Sequence, residues 1–175
     1  MRRLLIFRHA QAEKAFLGES DLARVLTAEG RADAEAMGSY MARHNFRPDR
    51  ALISTAARTR DTWDALRAAW NPAPAADFEA RIYDAGPGTL TGVIQAAPDG
   101  AHTLMLIGHN PGLHELAVML VATGDVDIRE RLRENLPTSG LAVIDFAFEH
   151  WRDLHPRSGR LERFASPKTI NAATN

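Results

Sequence analysis

Apolar residues in this chain fall into short bursts set between longer amphipathic stretches. Residues 4–7, "LLIF", form the first burst and read as a buried strand over 3–7. "GESDLARVL" reads as a loop. Thr27 is placed to cap a helix running to about residue 44, with Leu26, Met37 and Met41 on its apolar side. "RPDRALIS" turns into a second strand over 51–54. A helix over 57–70 follows, carrying Trp63, Leu66 and Trp70 on one face. "NPAPAAD" reads as a linker-like break. "EARIY", residues 79–83, alternates as a third strand, and "GPGTLTGVIQAAP" as a turn and short helix. "HTLMLIG" is the clearest buried strand. The helix after it has Asn110 as its expected cap, Pro111 at its first position and Gly124 as its stop. Residues 126–135 read as a charged helix, and residues 140–149 as a long strand pairing with 159–165 across the turn "HPRSG".

Strands alternating with helices at these lengths predict an α/β sandwich around a mostly parallel sheet, with the two late strands as an antiparallel addition. No composition shift marks a second domain in the 175 residues. The expected division is one catalytic domain over 1–167 and a frayed tail over 168–175.

Charge and composition narrow the function. Net charge is −1, from 21 Lys and Arg against 22 Asp and Glu, which disfavours a nucleic-acid partner. Only Lys14 and Lys168 are lysines, so the basic chemistry is that of arginine. There is no cysteine, which excludes thiolate catalysis, disulfides and Cys-type metal sites. No segment has the length of a membrane span and "MRRLLIF" is too short for a secretory signal, so a soluble cytoplasmic protein is expected.

Three of the expected strands end in groups that suit an anion. The first delivers Arg8 and His9. The second delivers Ser54, with Arg58 one helical turn later. The third delivers His109 and Asn110 before a helix N-terminus. Ligands of open α/β sheets bind beyond the carboxyl ends of the strands. Guanidinium forks and free helix amides both match phosphate oxygens. Each fragment has an ordinary reading when taken alone: a surface histidine, a solvated arginine, a strand–turn–helix junction. Their shared position after strands favours a phosphate site. His109 and His114 are five residues apart and do not share a helix face well enough for zinc. "GPGTL" is no nucleotide loop, and no GxxxxGK[ST] occurs.

With these residues in place, the chain resembles the histidine phosphatase superfamily, and within it the short bacterial branch similar to phosphohistidine phosphatase. "FRHA" resembles the Arg-His-Gly signature with Ala10 in third place. "LISTAARTRDT" resembles the second motif, "LIGHNPGL" the second histidine motif, and "LTAEG" the Leu-Thr-x-x-Gly helix start. The resemblance extends to about Pro167. It implies a three-layer α/β/α sandwich like that of phosphoglycerate mutase. It implies a metal-independent and cofactor-free hydrolase with His9 as nucleophile. Arg8, Arg58 and His109 would form the phosphate clamp, assisted by Ser54 and Asn110. Thr59 and Asp61 stand where the family often has alanine and glutamine, a change expected to be tolerated. The acidic proton donor of larger members has no clear counterpart: Asp84 is the nearest candidate and Glu79 a weaker one, and Asp84 reads equally well as a turn-capping residue. A weak donor suits phosphoramidates, because a protonated imidazole leaves more easily than an alkoxide. The implied substrate is phosphohistidine on a protein. The alternatives are a small phosphorylated substrate or a non-catalytic phosphate-binding module.

Overall fold

The computed structural model describes residues 1–174. Seven strands form one sheet: β1 (Arg2–Arg8), β2 (Arg50–Ile53), β3 (Ala75–Phe78), β4 (Thr103–Gly108), β5 (Val121–Gly124), β6 (Leu141–Phe146) and β7 (Gly159–Ala165). Their order is β3-β2-β4-β1-β6-β7-β5. Only β6 runs against the others, pairing antiparallel with β1 and β7. Both edges are four-residue strands, short enough to offer little template for further pairing.

Strand alternation creates two separate cores. On β1, Leu4 and Ile6 face one side, joining Leu104, Leu106, Leu113, Leu116 and the fully buried Trp151. Leu5 and Phe7 face the other, joining Met37, Met41, Trp63, Leu66 and Trp70. The second layer is built by α1 (Ala28–Arg43) and α2 (Ala57–Arg67), with α6 (Pro167–Thr174) beside α1. The first is covered by α3 (Pro87–Gln95), α4 (Gly112–Leu120) and α5 (Val126–Glu134). This is the expected α/β/α sandwich. Trp151 also donates its indole N–H to the Ala101 carbonyl at 2.7 Å, so a large apolar body is buried without stranding its polar atom.

The start of α1 explains the "LTAEG" motif. Thr27 Oγ1 accepts the Gly30 amide at 2.8 Å, a cap that contributes about 1 kcal/mol. A Cβ on Gly30 would lie 2.1 Å from the Gln11 carbonyl oxygen. Glycine there lets the chain leaving β1 cross the helix N-terminus.

Four sequence expectations are corrected. The third strand is Ala75–Phe78, beginning inside the supposed linker, rather than 79–83: it pairs with β2, and Asp77 meets Arg50 at 2.6 Å. Glu79 then caps the Arg81 amide and turns the chain into the 3₁₀ segment Ala80–Ile82, burying Ile82. The helix expected through Gly124 ends at Leu120, because Val121–Gly124 pairs with β7. Asn110 is not the helix cap; Pro111 occupies that position, and the Asn110 side chain is used elsewhere. Residues 167–174 are helical where fraying was expected. Ser166 and Thr169 cap that helix reciprocally, and Ile170 packs on the second core.

Candidate active site

Parallel register brings the two histidines together. Arg8 is paired with Gly108, so His9 and His109 leave neighbouring strands side by side. The His9 amide donates to the Gly108 carbonyl at 3.1 Å, and the ring centroids are 5.3 Å apart. Ser54, at the end of β2, is tied to Ile107 of β4 by its amide and meets His109 Nε2 with its hydroxyl at 2.7 Å. Arg58 projects from the first turn of α2. Thr59 and Thr62 fasten that turn: Thr59 donates to the Ser54 and Ala56 carbonyls, and Thr62 Oγ1 accepts the Ala10 amide. Arg8, His9, Ser54, Arg58, His109 and Asn110 therefore meet at one end of the sheet.

Each ring and guanidinium is held on one side and open on another. His9 Nδ1 lies 2.7 Å from the Ala10 carbonyl, which takes its N–H and leaves the Nε2 lone pair unprotonated. Arg8 Nη1 and Asn110 Nδ2 both donate to the Leu136 carbonyl, at 3.1 and 2.8 Å. Arg58 donates from Nη1 to the Asp21 carbonyl and from Nη2 to its carboxylate, at 2.8 and 3.0 Å. Tyr83 donates to the same carboxylate at 2.5 Å, with its ring edge-on to His109.

Among the described residues, seven buried side-chain polar atoms have no hydrogen-bond partner. Five are here: Arg8 Nε, Arg58 Nε, His109 Nδ1, Asn110 Oδ1 and Ser139 Oγ. A buried polar atom left without a partner costs about 1–3 kcal/mol. Concentrating that cost around one spot is what a site does when its missing partner is a ligand, and the nitrogen donors ask for an oxyanion.

Burial sets the charge states. His9 is pushed down to about 4 by desolvation, with Arg58 and Arg8 adding repulsion against the Ala10 hydrogen bond. His109 is pushed down to about 3, again by desolvation first and then by Arg58 and His9. Asp21 lies well below the usual carboxylate range because Tyr83, Arg24 and Arg58 donate to it. Both imidazoles are therefore neutral above their depressed values. Each folded-state value lies below the unfolded one, so the stability linked to these rings is fully present above about 6.5 and is lost as pH falls toward 4. NMR titration of the ring protons is expected to show no charge change at His9 or His109 between about pH 5 and 8, where free imidazole titrates. A midpoint near ~6.5 at either ring would contradict the packing described here.

Asp84 lines a recess of about 220 Å³ with His109, Asn110 and Glu115. Its backbone is left-handed (φ 58°), and its carboxylate makes no hydrogen bond among the described residues, so it does not cap the Gly86 turn. Glu79 is engaged by Arg81 at 2.9 Å. Asp21, Tyr83 and the Leu136 carbonyl were not anticipated from the sequence. Asp21 sits in a stretch read as loop and Tyr83 in one read as strand; the only visible signal for Asp21 was its place just before the "LTAEG" helix start. Among the described residues, no three of His, Cys, Asp and Glu are grouped as a metal would need.

Comparison with known proteins identifies the family and the fold. The model of the histidine phosphatase superfamily (branch 1) matches residues 4–102. An uncharacterized protein of Mycobacterium tuberculosis is 35% identical over 153 residues, covering 86% of this chain and 94% of that protein. A crystal structure from Agrobacterium tumefaciens, provisionally named phosphohistidine phosphatase SixA, is 34% identical with a TM-score of 0.79, covering 95% of this chain and 98% of that one. One from Nakamurella multipartitia with the same provisional name is 26% identical with a TM-score of 0.82, covering 95% and 96%. The sandwich is thus the phosphoglycerate mutase-like fold, and the chain belongs to the histidine phosphatase superfamily, as a phosphatase of its SixA-like branch.

Proposed function

We propose that the protein removes phosphoryl groups from phosphohistidine on a protein, through a covalent phosphohistidine on its own His9. The observation that carries this reading is the Ala10 carbonyl on His9 Nδ1. It fixes the tautomer that leaves Nε2 nucleophilic, beside donors that lack partners. Nε2 attacks phosphorus as the bond to the substrate nitrogen breaks, and the leaving imidazole departs with a proton. Water then attacks the phosphoenzyme, forming the P–O bond of phosphate and releasing Nε2. The guanidiniums of Arg8 and Arg58 offset charge on the phosphoryl oxygens. With Ser54 donating to Nε2 of His109, that ring holds its proton on Nδ1, ready for a phosphoryl oxygen. Asn110 steadies the Leu136 carbonyl that aims Arg8. Asp84, on the rim beside His109, is the carboxyl best placed to meet a leaving group. The arginines supply the neutralisation a divalent ion supplies elsewhere. EDTA is expected to leave the rate unchanged; a loss restored by a divalent cation would refute metal independence.

The loop between β1 and α1 favours a protein substrate. It exposes Phe16, Leu17, Leu22 and Val25, and Asp21 ties it to Arg58. Leu17 is fully exposed and Phe16 76% exposed. Such apolar side chains around a catalytic basin match a macromolecular surface better than a small polar metabolite. The Phe16→Ser, Leu17→Ser double variant is expected to lower kcat/KM on a phosphohistidine protein roughly tenfold, as loss of an apolar interface anchor does. Turnover of para-nitrophenyl phosphate should be unchanged. Equal losses on both substrates, or a wild-type preference for sugar or nucleotide phosphates over the phosphoprotein, would favour a small-molecule phosphatase working in the same cytoplasmic setting.

A further inference from the structure

A second cationic recess lies away from the catalytic cluster. It is about 160 Å³ and is lined by Val118, Val121, Arg129, Leu132, Arg133 and Arg157. Three arginines and no acid form its walls. Arg129 Nε is buried and unpartnered, the one such charged-group atom outside the active site among the described residues, and its Nη1 reaches the Ala122 carbonyl only at 3.3 Å. Arg133 is shared with Glu130, at 2.5 Å. Arg157 is held by its backbone, in a left-handed turn (φ 57°) with its amide on the Met119 carbonyl at 2.9 Å. Its guanidinium has no partner among the described residues. The backbone bond to Met119 anchors the Arg157 main chain at the end of α4, and its side chain lines the recess.

The topology separates this recess from His9. Arg157 precedes Gly159, which pairs with Phe146, which in turn pairs with Arg2 at the start of β1. His9 follows the other end of that strand. Along α4, Val118 lies six residues beyond Gly112, about 9 Å up the helix. The floor of Val118, Val121 and Leu132 is apolar, which weakens solvent screening of the charges above it.

We propose that this recess is a second oxyanion site, which holds a phosphate or phosphoryl group on the forks of Arg129 and Arg157. Forked guanidinium donors match tetrahedral oxyanions in geometry as well as charge, and the recess is large enough for a single group of this kind.

An amide-resolved NMR titration of the full chain with inorganic phosphate tests this. Amides of Val118, Val121, Leu132 and Arg157 are expected to shift and saturate with a dissociation constant distinct from that of the amides around His9 and His109. Arg129→Met keeps the aliphatic packing and Arg157→Asn tolerates the left-handed backbone. Each should weaken the second set roughly tenfold, the effect of losing a hydrogen bond to a charged group. The shifts near His9 and the turnover of para-nitrophenyl phosphate should not change. If Arg129→Met fails to fold, the exposed Arg157→Asn decides alone. Shifts confined to the catalytic amides, the same shifts with sodium chloride at matched ionic strength, or undiminished binding in Arg157→Asn would each overturn the proposal.

Discussion

Replacing His9 with Ala is expected to reduce turnover of para-nitrophenyl phosphate by about 10⁴-fold or more, on the order of 5 kcal/mol of transition-state stabilisation. The size follows from what the substitution removes. On the proposed mechanism it takes away the nucleophile itself, whereas the rest of the site can only bind and polarise a phosphoryl group. The folded state should change little, because His9 makes one side-chain hydrogen bond and that is to its neighbour, Ala10. Brief exposure to a labelled phosphoryl donor followed by quenching should place the label on His9 in the wild type and nowhere in His9→Ala. The bond should be acid-labile, as an N–P bond is. Label on His109, or retained turnover in the variant, would sink the assignment. Trapping is the stronger arm: a lost rate alone would also follow from a binding role, but a label on Nε2 would not.

The parts of the molecule that were legible in the sequence share a cause. β1 and β4 are apolar on both faces because both are covered by helices, so "LLIF" and "LMLI" announce themselves. The residues after them inherit their place from strand polarity and register, which is why Arg8, His9, His109 and Asn110 could be grouped without coordinates. β3 was illegible for the opposite reason. It is an edge strand with mostly exposed side chains, held by backbone pairing to β2, and backbone pairing leaves no periodicity to read. β5 was read as helix because "LAVML" runs straight into "VATG" with no break residue. Only pairing to β7 ends the helix at Leu120. The helix Pro167–Thr174 depends on Ser166, Thr169 and a docking surface on α1, a tertiary contact that a tail sequence does not reveal.

The same distinction runs through the site. Residues that strands bring together could be grouped from the sequence; those that loops supply could not. Asp21 comes from a segment with no periodic signal, and the Leu136 carbonyl carries no side-chain information at all. Yet these two acceptors aim the arginines. Leu136 takes Arg8 through Nη1, and Asp21 takes Arg58 through both terminal nitrogens, and in each case Nε is left buried and unpaired. The recurrence on two arginines from different elements gives the clamp its logic. Protein acceptors hold terminal nitrogens of both guanidiniums, which leaves each Nε as a donor for the proposed phosphate. The freedom of a long side chain is removed before substrate arrives.

That logic makes a second large effect predictable. Arg58→Ala should lower kcat/KM by about 10²–10³-fold, the range for losing one preorganised donor to developing oxyanion charge. Asp21→Ala leaves Arg58 in place with Nη1 still on the main-chain carbonyl of residue 21, and releases Nη2. Its expected loss is roughly tenfold, the scale of a hydrogen bond to a charged group. Asp21 is a carboxylate near the proposed phosphate site, so simple electrostatics gives the opposite sign: deleting it should help an anion bind. The orienting role and the repulsive role therefore make contrary predictions for one substitution. The double variant separates them. If Asp21 acts by holding Arg58, its removal costs almost nothing once Arg58 is gone, and the coupling in the cycle equals nearly the whole Asp21 effect. If Asp21 acts through its charge alone, Asp21→Ala raises kcat/KM and does so in both backgrounds. Losses that simply add would mean that the carboxylate supports the loop rather than the guanidinium. Asp21→Asn refines the reading: it keeps an acceptor for Arg58 while removing charge, so it should recover much of what alanine loses.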